Sequence, residues 1–196
     1  MTKVYFVRHA QPDYADASDR NRVLTKEGLE DRKIVFEILK DKQIDVAWCS
    51  PYVRSLETIR PLCEHLELDV HTDERLRERD HGKKGNTGEL IKARWNDHDL
   101  HEEGGESLNE CQKRNIEVLN EILEAYEGHD IVIGTHGTAL ATILSYYDPS
   151  FGYEDFMRFI DWMPYIVALE FEEKKLLHKQ ELGHIYKPFK ADPTAW

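Results

Sequence analysis

Apolar runs and the polar stretches between them divide the chain into alternating strands and helices. Lys3-Val-Tyr-Phe-Val-Arg8 shows no polar alternation, which is the pattern of a strand covered on both faces in a parallel sheet. Asp130-Ile-Val-Ile-Gly-Thr135 has the same character, and Asp45-Val-Ala-Trp-Cys49 gives a third run. Helical spacing appears between them. Leu29, Val35, Ile38 and Leu39 share one face of a helix from Thr25 to about Asp41, opposite Glu30, Asp31, Arg32 and Glu37. Pro51 opens a second helix through Leu66, with Arg54 in its first turn. Ser107 reads as an N-cap for Leu108, Cys111, Val118, Leu119, Ile122, Leu123 and Tyr126. Another helix runs from Thr138 to about Tyr146, where Pro149 stops it, and Tyr153 to Phe159 adds a turn or two. Asp69 to Thr72 is a short strand. Tyr165 to Phe171 and Leu176 to Leu182, joined by Glu172-Glu173-Lys174-Lys175, read as an antiparallel edge hairpin. The prediction is an α/β fold: a three-layer α/β/α sandwich whose central sheet is mostly parallel, with that hairpin at its edge.

Two polar stretches interrupt this scheme. Residues 11 to 24 read as a loop over the rim of the sheet. Residues 73 to 106 are rich in charge and too long to be structureless in a compact domain, so they are expected to carry short helices, one around Glu89 to Trp95, and to cap the site. The whole of residues 1–196 reads as one domain with that cap inserted at about 73–106.

Chemistry collects where the strands stop. Ligands of open α/β sheets bind outside the carboxyl ends of the strands. There the first strand delivers Arg8 and His9, and the Asp130 strand delivers His136 and Gly137. Arg54 follows the third strand. Guanidinium forks match phosphate oxygens, a neutral imidazole can attack phosphorus, and a helix beginning behind Gly137 favours anions.

Arg8-His9, Leu24-Thr25-Lys26-Glu27-Gly28, Ser50-Pro51-Tyr52-Val53-Arg54-Ser55-Leu56-Glu57-Thr58, Leu76-Arg77-Glu78-Arg79-Asp80-His81-Gly82, Gly105-Glu106-Ser107 and His136-Gly137 together resemble the histidine phosphatase superfamily, also called phosphoglycerate mutase-like. The resemblance implies that His9 is the nucleophile that becomes phosphohistidine and that Glu78 is the proton donor. It also implies that Arg8, Arg54, His136 and Gly137 bind phosphate, His136 being a catalytic residue as well, with no metal and no cofactor. Ala10 stands where the family usually has Gly, which a Cβ tolerates only at negative φ. The short passage from Asn21-Arg22-Val23 into Leu24-Thr25 and the modest chain length resemble the phosphatase branch rather than the mutases. The expected activity is phosphomonoester hydrolysis of a small phosphorylated metabolite by a histidine acid-type phosphatase. Phosphoglycerate mutase is the alternative, and a non-catalytic regulator that binds a phosphorylated ligand is the alternative of another class. The intact nucleophile and donor argue against that regulator. A dinucleotide binder would need a G-x-G-x-x-G after the first strand.

Around Glu78, the neighbours Arg75, Arg77 and Arg79 also fit a solvated charge cluster. Arg79, His81 and Arg94 belong to the expected cap and are candidates to read the leaving group. His98 and His101 are spaced to share a helix face, which raises a zinc site, but no Cys or third His stands at ligand spacing, so exposed polar residues explain them better. Thr138 could give its backbone N–H to phosphate or cap its own helix.

Composition narrows the partners. Against 38 Asp plus Glu stand 26 Lys plus Arg, a net charge of −12 over 196 residues, which repels nucleic acid and anionic membrane surfaces but not a small phosphoester held by a few converging Arg residues. No apolar run is long enough to span a bilayer, and the opening Met-Thr-Lys-Val has no apolar signal region. Cys49, Cys63 and Cys111 lack C-x-x-C spacing and read as reduced core thiols, so a cytoplasmic protein is expected.

Overall fold

The apolar runs become strands β1 (Thr2–Arg8), β2 (Val46–Cys49), β3 (Val70–Thr72), β4 (Asp130–Thr135), β5 (Trp162–Glu172) and β6 (Lys175–Tyr186) in a computed structural model, which describes residues 1–15, 18–83 and 87–188. They form one sheet in the order β3-β2-β4-β1-β5-β6. The pairs β3/β2, β2/β4 and β4/β1 are parallel, and β5 and β6 join antiparallel. The mostly parallel sheet with an antiparallel edge hairpin is therefore as expected.

The helices are α1 (Lys26–Asp31), α2 (Lys33–Leu39), α3 (Val53–His65), α4 (Gly88–Asn96), α5 (Leu108–Ala125), α6 (Gly137–Tyr147) and α7 (Tyr153–Phe159). Alternate residues of the central strands feed two cores, which is what makes three layers. Val4, Phe6, Ile131 and Ile133 pack with α5, α6 and α7 residues such as Leu119, Leu140 and Phe159. Tyr5, Val7 and Val132 pack on the other side with Val35, Leu39, Ile59 and Leu62. Period-two side-chain alternation in buried strands produces this division.

Two expectations need correction. The single helix from Thr25 to Asp41 is split at Arg32: Val35 N–H bonds to the Arg32 carbonyl at 3.0 Å, an i+3 turn, while the Arg32 guanidinium reaches the Glu57 carbonyl of α3 at 2.6 Å. This tightened turn lets the segment follow the neighbouring helix. The proposed helix face shared by His98 and His101 does not exist, because α4 ends at Asn96 and Asp97 is extended. His98 packs its ring on Trp95, and His101 Nδ1 meets the Glu102 carbonyl at 3.2 Å.

Other boundaries follow the sequence signals. Ser107 caps α5 in a full capping box with Glu110, the Ser107 hydroxyl accepting from Glu110 N–H at 3.1 Å and the Glu110 carboxylate accepting from Ser107 N–H at 2.8 Å. Such a cap contributes about 1 kcal/mol. The three cysteines are buried and free, and burial pushes the Cys49 and Cys111 thiols up to about 12. Among the described residues no helix is long and apolar enough to cross a membrane.

Candidate active site

Parallel pairing sets the site. Arg8 lies opposite Thr135 and Cys49 opposite Gly134, so β1, β4 and β2 end level with one another. The ladder continues one step past the strands, with His9 N–H on the Thr135 carbonyl at 3.2 Å and Ser50 N–H on the Gly134 carbonyl at 3.0 Å. His9, His136 and Ser50 are therefore carried to one rim. Arg54, in the first turn of α3, comes in from the side.

These ends open on a cavity of about 330 Å³ whose wall includes Arg8, His9, Arg54, Glu78 and Gly137. All three predicted cap candidates, Arg79, His81 and Arg94, stand on the same wall. An apolar arc of Ile91, Trp95, Leu108, Phe156 and Ile160 completes it, with Tyr14, Asp19 and Arg22 of the rim loop on another side. His136 is fully buried behind this wall, its ring edge-on to His9 at 5.2 Å between centroids and to Tyr52 at the same separation. The two imidazoles are thus in direct edge contact, His9 on the cavity wall and His136 behind it.

The His9 tautomer follows from its hydrogen bond. Nδ1 lies 2.8 Å from the Ala10 carbonyl, which can only accept, so Nδ1 carries the hydrogen and the Nε2 lone pair is exposed to chemistry. Ala10 has no positive φ, so its Cβ is accommodated, and its N–H is held by the Thr58 hydroxyl at 3.0 Å. Burial, and then the charges of Arg54 and Arg8, holds the His9 pKa well below its ordinary value. His136 is shifted the same way, chiefly by burial and then by Arg54. Its Nε2 lies 2.7 Å from the Ser50 hydroxyl, and among the described residues its Nδ1 has no partner.

These shifts predict a pH dependence of stability. Both histidines bind protons more weakly folded than unfolded, so their contribution is complete above pH 6.5 and is lost as pH falls below it, by up to about 1.4 kcal/mol per pH unit for each group. Thermal melting should show a midpoint that drops between pH 7 and 5, less steeply in a His9→Asn, His136→Asn double variant. Equal slopes in the two proteins would contradict the assignment.

Arg8 is buried and donates Nη1 to the Phe159 carbonyl at 2.8 Å. Its guanidinium lies against Gly137, where an added Cβ would sit 3.2 Å from Cζ, Nε and Nη2. Glycine there lets the cation lie across the start of α6. Arg54, 3 % exposed, donates Nη1 to the Asp19 carbonyl and pairs with the Asp19 carboxylate at 3.1 Å.

The helix N-terminus expected to serve phosphate holds a carboxylate. Glu78 accepts from Thr138 N–H at 3.0 Å and Ala139 N–H at 2.9 Å, at the start of α6, and from Arg79 N–H at 2.8 Å. Thr138 therefore neither caps its helix, whose N-cap is His136, nor offers its N–H to the cavity. The solvated-cluster reading of Glu78 fails because the side chain is buried, while Arg75 turns to Asp73 and Glu121, Arg77 to Glu106, and Arg79 to Glu102. Arg94 shares Glu102 with Arg79. Burial, and next the Arg79 charge, lowers Arg94 to about 10. Among the described residues no cluster of His, Cys, Asp and Glu could hold a metal ion.

Sequence reasoning missed Ser50, Thr58, Asp19 and Phe159 as supports of the site. Ser50 and Thr58 could have been found from their places beside Pro51 and one turn beyond Arg54. Asp19 sits in a polar loop without periodic signal, and Phe159 acts through its backbone.

A family model described as the histidine phosphatase superfamily (branch 1) matches residues 4–177. The chain belongs to that superfamily. Phosphoserine phosphatase 1 of Hydrogenobacter thermophilus is 26% identical over 152 residues, which cover 69% of this chain and 71% of that protein. Among solved structures, the phosphoserine phosphatase of Entamoeba histolytica in complex with 3-phosphoglyceric acid matches with TM-score 0.73 at 20% identity, covering 97% of this superfamily member and 98% of that chain. Mycobacterial glucosyl-3-phosphoglycerate phosphatase complexed with VO3 gives TM-score 0.73 at 20% identity, covering 91% and 96%. The fold of these enzymes is the fold of this chain, and the named activities are phosphatases, in line with the phosphoric monoester hydrolase that the resemblance implied.

Proposed function

We propose that this histidine phosphatase superfamily member hydrolyses a small phosphomonoester through a phosphohistidine on His9, using no cofactor. The observation that carries the reading is the bond from His9 Nδ1 to the Ala10 carbonyl, which leaves a neutral Nε2 on the wall of a cavity flanked by two buried guanidiniums. His9 Nε2 forms the N–P bond as the ester O–P bond breaks. Glu78 gives a proton to the departing oxygen, then takes one from the water that breaks the N–P bond and releases orthophosphate. Arg8 and Arg54 neutralise the equatorial oxygens, with the His136 imidazole beside them. Residues 73–106, of which 84–86 lie outside the described residues, act as the cap of a single domain.

The leaving group is read by Arg79, His81 and Arg94. Phosphoserine and glucosyl-3-phosphoglycerate, named for similar proteins, each carry a carboxylate. A guanidinium pair on the wall would meet such a group. Orthophosphate release from p-nitrophenyl phosphate, phosphoserine and 3-phosphoglycerate, with chelator present, tests the reading. Turnover should persist in chelator and an acid-labile phosphoenzyme should be trapped. Isomerisation of phosphoglycerate dependent on a bisphosphate primer would favour a mutase, and binding without turnover a regulator.

A further inference from the structure

We propose that Arg114, on α5, is a positioning residue for Glu78, with Glu106 as its anchor. The inference rests on the assignment of Glu78 as proton donor. Arg114 binds Glu106 through a two-pronged ion pair, Nε to Oε1 at 2.6 Å and Nη2 to Oε2 at 2.8 Å. That fork fixes the plane of the guanidinium. Its remaining hydrogens point at the main chain that carries the donor. Nη1 reaches the carbonyls of Arg75 at 2.6 Å and Arg77 at 2.7 Å, and Nη2 reaches the carbonyl of Glu78 itself at 3.1 Å. Glu106 meanwhile accepts from Asp80 N–H at 3.2 Å, and its own N–H bonds to the Asp80 carbonyl at 3.0 Å. The segment is thus held on both sides of Glu78.

This matters because residues 77 to 80 belong to no helix or strand, so no ladder fixes them. The Glu78 carboxyl is aligned at the α6 N-terminus only if its own backbone stays where Arg114 ties it. A donor displaced by about 1 Å loses much of its effect, up to 10²-fold. Lysine cannot replace the fork, since one ammonium cannot grip a carboxylate in two places and still cap three carbonyls.

The test compares kcat/KM for phenyl phosphate and p-nitrophenyl phosphate in wild type, Glu78→Gln, Arg114→Met and Arg114→Lys, with melting as a check on folding. This ratio reports the chemistry up to leaving-group departure, and phenoxide needs a proton far more than p-nitrophenoxide does. Glu78→Gln and both Arg114 variants should lose on the order of 10–100-fold on phenyl phosphate and less than about threefold on p-nitrophenyl phosphate. Equal losses on both substrates in the Arg114 variants, or no loss on either, overturn the positioning role while leaving Glu78 as donor. An unselective Glu78→Gln overturns the donor assignment and with it this proposal. Should Arg114→Met not fold, Arg114→Lys and Glu106→Gln give the same comparison with the packing retained.

Discussion

His9→Ala is expected to lower kcat/KM for every phosphomonoester by on the order of 10⁴-fold or more while the protein stays folded. The loss should be this large because no neighbour can take over the attack. His136 is fully buried, with its Nε2 already on the Ser50 hydroxyl, and His81 is engaged by the Arg79 guanidinium at 3.3 Å. The fold should survive because, among the described residues, the ring hydrogen-bonds only to the adjacent carbonyl of Ala10, whereas the sheet contact at this position is the backbone bond to Thr135. Orthophosphate should still bind, since Arg8 and Arg54 remain, and no phosphoenzyme should be trapped. A variant that keeps activity within about tenfold of wild type would mean that water or another side chain attacks phosphorus directly.

The parts of this site that the sequence made legible share one property: regular structure fixes their direction. β1 and β4 are covered on both faces, so their unbroken apolar runs stand out, and the residue after such a strand must emerge at the rim. Arg8, His9 and His136 were readable for that reason, and Arg54 because the first turn of a helix points back toward the strand it follows. The edge hairpin was read too short, as Tyr165 to Phe171 and Leu176 to Leu182 against Trp162–Glu172 and Lys175–Tyr186. β6, the edge strand bonded on one side, tolerates polar residues, so its pattern fades toward the ends, whereas β5 lies between β1 and β6 and opens on Trp162-Met163-Pro164, where the proline reads as a break. There the Trp162 and His184 rings stack at 3.7 Å, a pairing that neither residue announces alone.

What stayed hidden depends on contacts between distant irregular segments. Arg114 looks like an ordinary charge between the apolar positions of α5, yet its partners lie on carbonyls 36 to 39 residues away. Glu78 was recognisable by motif but not by environment, since its burial at the start of α6 is set by the chain path through residues 77 to 80. Asp19 could be placed in a loop but not on Arg54.

That last contact gives the second large effect. Arg54→Met should reduce kcat by on the order of 10³-fold, the scale seen when a guanidinium that stabilises a transferring phosphoryl group is removed. Arg8 is not expected to compensate, because its Nη1 is committed to the Phe159 carbonyl. Two causes could produce such a loss, and they separate cleanly. Removing Arg54 deletes a positive charge beside His9, and it also removes one tie on the rim loop, at Asp19. Asp19→Asn weakens the loop contact while leaving the cation in place. The Asp19 side chain is 39% exposed, so this change should alter turnover by less than about fivefold. Arg54→Lys keeps a charge but not the fork, and should fall between the two. If Asp19→Asn loses as much as Arg54→Met, the guanidinium works by holding the loop, and charge neutralisation at phosphorus must come from Arg8 alone.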